Sequence, residues 1–68
     1  MQLTIEFEQE AGGRWIAEVP ELPGVLVYAA SKEQAAQLAR ALAFRTIADR
    51  IEAGELNGSN LDSVSFAA

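Results

Sequence analysis

Carboxylates are the side chains of this chain whose types and spacing come closest to chemistry. Glu6, Glu8 and Glu10 alternate along one segment and so share a face of an extended strand, and Glu18 and Glu21 flank Pro20. Paired carboxylates do general acid–base work or hold a divalent cation. The same spacing equally describes the solvated face of a half-exposed strand, or plain surface charge beside a proline. Cysteine and histidine are both absent, which excludes disulfides, thiolate nucleophiles, Cys/His zinc sites and imidazole acid–base catalysis in this chain. Gly12-Gly13 is too short for a phosphate loop and has no helix following it. We therefore expect no catalytic, cofactor-binding or metal-binding residue and no enzyme activity. A metal-dependent hydrolase built on Glu6 and Glu8 is the enzymatic alternative.

The composition points toward binding. With 68 residues the chain makes one small domain, 1–68. A domain of this size buries only about 60% of its unfolded surface, so association with other subunits is a common support. Half of the residues are apolar, enough for a folded core. No apolar run approaches the roughly 18 residues of a membrane span, and the acidic N-terminus has no signal-peptide pattern, so a cytoplasmic protein without membrane contact is expected. The net charge of −5 opposes direct nucleic-acid binding, because Arg14, Lys32, Arg40, Arg45 and Arg50 are scattered among acids. An acidic surface favours a basic protein partner.

Which elements position these residues follows from periodicity. Leu3, Ile5 and Phe7 alternate with Thr4, Glu6 and Glu8, a half-buried strand. Gly12-Gly13 marks a hairpin turn, and Arg14 to Val19 forms a second strand with Trp15, Ala17 and Val19 on one face. Trp15 on that face is either core or a ligand anchor. A stiff connector follows, Pro20-Glu21-Leu22-Pro23-Gly24. Its prolines push Val19 and Leu22 toward extended backbone, and Pro23-Gly24 has the chemistry of a type II turn. Val25 to Tyr28 is a third strand, with Tyr28 open to either a core or a surface role.

Ser31 caps a helix, with Gln34 completing a capping-box pattern, and the helix runs to about Glu52 or Ala53 with Gly54 as its C′ glycine. Asn57 to Asn60 reads as loop and Asp62 to Ala67 as a last strand. The helix has two apolar sides. Ala35, Leu38, Ala39 and Leu42 form the stripe expected on the sheet, while Ala36, Ala43, Phe44, Ile47 and Ile51 fall elsewhere. Either the helix rolls so that both stripes cover one core, or Phe44, Ile47 and Ile51 bury against a second subunit. The fold class is α+β, in the order β-β-β-α-β, an antiparallel sheet with one long helix packed on one face.

The run Gly13-Arg14-Trp15-Ile16-Ala17-Glu18-Val19-Pro20-Glu21-Leu22-Pro23-Gly24 resembles the N-terminal domain of HicB-type antitoxins. The shared pattern is an aromatic in the second strand, a P-x-aliphatic-P-G connector, a third strand, and an alanine-rich helix behind a Ser/Thr cap, here Ser31-Lys32-Glu33-Gln34-Ala35. Alanines Ala29-Ala30 stand where a glycine often precedes the cap, and Val25 follows Gly24 where a small or thiol residue is frequent. The resemblance implies a partial ribonuclease-H-like fold without the ribonuclease carboxylate cluster. It further implies a non-enzymatic antitoxin that binds and masks a small basic RNA-cleaving toxin of the HicA type, and a tendency to form homo-oligomers. Glu18, Glu21 and Leu22 are the toxin contacts expected on this basis. Because the sequence ends at Ala68, the C-terminal DNA-binding domain of many family members is not expected. The alternative is an orphan homo-oligomeric binding or structural module with no toxin.

Overall fold

Ile5 is where the first extended run changes partner. The computed structural model describes residues 1–68, the side chain of Asn60 excepted. Before Ile5, β1 (Gln2–Thr4) pairs with β5 (Ser65–Ala67); after it, β2 (Glu6–Gln9) pairs with β3 (Trp15–Glu18), which pairs in turn with β4 (Leu26–Ala29). Ile5 N–H donates to the Ala67 carbonyl at 2.8 Å, so the β5 ladder reaches the point at which the β3 ladder begins. The helix α1 (Lys32–Glu52) connects β4 to β5 across one face.

The antiparallel meander of three strands follows the expected order, with Glu6 opposite Glu18 and Glu18 opposite Leu26. The last strand departs from the expected antiparallel sheet, because β5 runs parallel to β1, with Gln2 opposite Ser65 and Thr4 opposite Ala67. A helix that travels back along the sheet returns the chain in the direction of the strand it left. The strand after it must then lie parallel to β1. This strand is also shorter than the expected 62–67, covering only Ser65–Ala67.

Both turns of the connector form. Leu22 N–H donates to the Val19 carbonyl and Val25 N–H to the Leu22 carbonyl, each at 3.0 Å. Gly24 has φ +96°, the positive value that the third position of a type II turn requires. Val19 N–H donates to the Val25 carbonyl and closes the five-residue loop. From the last turn of α1, Arg50 Nη2 reaches the Pro23 carbonyl at 3.2 Å.

Ser31 caps α1, its hydroxyl accepting from Gln34 N–H at 3.1 Å. At the other end Gly54 N–H donates to the Ile51 carbonyl and Glu55 N–H to that of Arg50, a Schellman closure with Gly54 at φ +78°. The buried stripe is Ala35, Ala39, Ala43 and Ile47, spaced by four. This corrects the expected stripe, since Leu38 is 42% exposed and Leu42 only half-buried. Alanine methyls bring the helix backbone close to Ala17 and Ala29 on β3 and β4, and close packing places the small residues where the layers approach most. Leucines are displaced to the flanks. Leu3, Ile5, Val19, Leu22 and Val25 complete the core, and no polar side chain is buried among the described residues.

Candidate functional site on the open face of the sheet

Alternation along three strands builds a surface that α1 does not cover. Leu3, Ile5, Ala17, Val19, Val25 and Ala29 point to the helix and are buried. Their neighbours Glu6, Glu8, Ile16, Glu18, Leu26 and Tyr28 take the other face. Register brings them into two rungs. Glu6, Glu18 and Leu26 form one, and Glu8, Ile16 and Tyr28 the next.

Glu6, Glu8 and Glu18 surround Ile16 in a shallow depression of about 310 Å³. Leu26 and Tyr28, 42% and 48% exposed, extend it toward the β4 edge. The face thus combines unpaired negative charge with uncovered apolar surface. Glu6 and Glu18 sit directly opposite each other, an arrangement that costs stability in an exposed sheet. Among the described residues no group of three carboxylates is placed to hold a metal ion.

Glu10 leaves this acidic set. Its Oε1 accepts from Arg14 Nε at 2.6 Å, and this bond, ahead of the charge attraction, raises the already high pKa of Arg14. The Arg14 guanidinium lies 4.3 Å from the centre of the Tyr28 ring, a cation–π contact that brings positive charge to one end of the face. Gly12, Gly13, Ala29 and Ala30 line the open groove beside this pair, about 590 Å³ in volume.

The three expected contact residues separate. Glu18 is exposed on the open face. Glu21 is exposed but engaged, because Thr4 N–H donates to its Oε1 at 3.0 Å and the Thr4 hydroxyl to its Oε2 at 2.8 Å. These bonds, the backbone one first, hold its carboxyl below the usual glutamate range. Leu22 is 2% exposed and packs in the core, so a partner cannot touch its side chain without opening the connector.

The expected oligomer residues also separate. Ile47 is 6% exposed and belongs to this chain's own core. Phe44 packs edge-on against Phe66 of β5 with ring centres 5.6 Å apart, and Ile51 lies against Gly58. Both stay more than a third exposed, Phe44 at 51% and Ile51 at 37%. The C-terminal segment therefore covers one flank of the helix in part.

Trp15 is half-buried at the rim of the core. The Lys32 ammonium lies 4.9 Å from the Phe7 ring centre and 5.8 Å from that of Trp15, closing this end of the interlayer space with a charged lid. The sequence left Leu26 unassigned and Tyr28 open to either role; alternation from the buried Val25 is the signal that would have placed both on this face. The Thr4–Glu21 and Lys32–Trp15 contacts had no local signal. Comparison of the chain with protein-family models, with curated proteins and with solved structures finds no match.

Proposed function

We propose that this chain is a non-enzymatic, HicB-like antitoxin-type module whose open sheet face masks a small basic RNA-cleaving toxin of the HicA type. The observation that carries the reading is the juxtaposition of Glu6, Glu8 and Glu18 around exposed apolar surface on a face no other element covers. Such a surface suits a basic partner in two ways. Its charge speeds the encounter, and Ile16, Leu26 and Tyr28 supply the apolar centre that holds it. The like-charged pair Glu6–Glu18 would be relieved by a cation placed between the carboxylates. Masking by occlusion needs no reactive group on this chain, since covering the toxin's RNA-binding surface is sufficient.

Within this reading the contacts are Glu18, Glu6 and Glu8. Glu21 and Leu22 belong to the connector that joins β3 to β4. The test is co-expression with the product of the adjacent gene, scored by growth rescue and by co-purification. A small basic neighbour that is retained by the wild-type chain and released by Glu18→Lys supports the proposal. A neighbour that is not small and basic, or that is neither bound nor neutralised, sinks it and leaves the orphan homo-oligomeric module.

A further inference from the structure

We propose that β4 is a self-association edge, through which two copies of this chain pair antiparallel about a two-fold axis at Val27. The inference is independent of the toxin reading, since a dimer of this kind forms with no other protein present.

β4 is the last strand of its sheet, with β3 on one side and no strand on the other. Its hydrogen-bonding phase is set by Val19 N–H donating to the Val25 carbonyl. Alternation then turns the main-chain groups of Val25, Val27 and Ala29 toward β3. Those of Leu26 and Tyr28 point out from the free edge. Edge strands that must stay single are guarded by charges, proline or a bulge. Leu26-Val27-Tyr28-Ala29 has none of these, and its pairing with β3 is unbroken from Leu26 to Ala29.

A two-fold axis at Val27 satisfies the outward groups at once. Leu26 of one copy faces Tyr28 of the other, and the symmetric pair repeats it, giving about four main-chain hydrogen bonds. On the open face, each exposed Leu26 side chain lies against a Tyr28 ring of the second copy. On the helix face the half-buried Val27 side chains meet. The helix layer adds to this. Phe44 marks the flank of α1 that lies on β5, whereas Leu38 stands on the opposite flank of a helix packed on β3 and β4. Of the five large hydrophobic side chains left exposed among the described residues, Leu26, Tyr28 and Leu38 are therefore on the β4 side.

Charge fits the same axis. Glu18 neighbours Leu26 on β3, and Arg14 lies over Tyr28. Pairing Leu26 with the second copy's Tyr28 places Glu18 and the second copy's Arg14 on either side of one apolar contact, with opposite signs. Each copy thus offers the other the same Leu26–Tyr28 pair, as a two-fold homodimer requires, with Arg14 held by Glu10 at its margin.

Sedimentation equilibrium of the full chain should give twice the chain mass of 7.3 kDa. Tyr28→Pro removes an outward N–H and no internal ladder bond, so it should sediment at 7.3 kDa with its far-ultraviolet circular dichroism retained. Phe44→Lys should leave the dimer intact. Amide exchange of the wild type provides a reading free of mutation. The Leu26 and Tyr28 amides should slow by about tenfold or more between dilute and concentrated samples. A wild type that stays monomeric at its highest attainable concentration overturns the proposal. So does a Tyr28→Pro dimer, a dimer broken by Phe44→Lys, or exchange at Leu26 and Tyr28 that ignores concentration.

Discussion

The carboxylate of Glu21 hydrogen-bonds both the backbone N–H and the hydroxyl of Thr4, 17 residues earlier in the chain. The β2–β3 register, extended by two residues, would set Thr4 opposite Pro20. The chain turns away into the connector there, so the Thr4 N–H meets no carbonyl across from it. Glu21 supplies the acceptor that the interrupted ladder lacks. A residue that reads as a candidate partner contact is thus the pin between the first strand and the Pro-Gly connector.

That pin titrates. Its folded-state pKa is lowered by the Thr4 bonds, so it adds stability above the ordinary glutamate range. The contribution is lost as pH falls through the lowered value. Urea unfolding of the wild type and of Glu21→Gln should therefore differ at neutral pH, and the two curves should converge in acid. A difference that persists unchanged at low pH would show that the carboxylate charge is not what holds Thr4.

Glu18 and Glu6 should trade stability against binding. Glu18→Thr removes a like charge from a directly opposed pair and adds a β-branched residue, which should raise stability by about 0.2–1 kcal/mol. Thermal melts would register this as a rise of a few degrees, at roughly 4–8 °C per kcal/mol for a domain of this size. Retention of a basic partner should fall in the same variant.

Gly24→Ala should cost more than about 1 kcal/mol, because φ +96° is a backbone state that L side chains rarely adopt even though space is open around it. Gly12 is the control. It lacks a positive φ and has nothing within 4 Å of an added Cβ, so Gly12→Ala should change stability by no more than about 0.5 kcal/mol. Denaturant midpoints of the two variants decide the matter.

The alanine stripe should resist enlargement. Ala39 is fully buried between α1 and the sheet, and Ala39→Leu should destabilise by about 1–3 kcal/mol as the layers are forced apart. Ala41 is exposed on the same helix, and Ala41→Leu should be nearly neutral. Equal effects at the two positions would contradict the packing described.

Local rules carried much of this fold. Ser31, Gly54, Pro23-Gly24 and Gly12-Gly13 act through their own backbone and the residues three or four away. The helix ends and both hairpin turns therefore lie where the sequence places them. Alternation likewise assigned Ala17 and Val19 to the core and Glu6, Glu8 and Glu18 to the outside. Three features depended on residues far apart in the chain. The parallel seating of β5 on β1 depends on where a 21-residue helix returns the chain. The buried side of α1 was set by how closely alanines approach Ala17 and Ala29, so Leu38 lost a place that its hydrophobicity alone would have given it. The engagement of Glu21 by Thr4 arises from a ladder cut short at Pro20, and burial of Leu22 follows from the same fold of the connector. Periodicity in the sequence determined which faces exist. Close packing and hydrogen-bond satisfaction, which act across the assembled layers, decided which of them are covered.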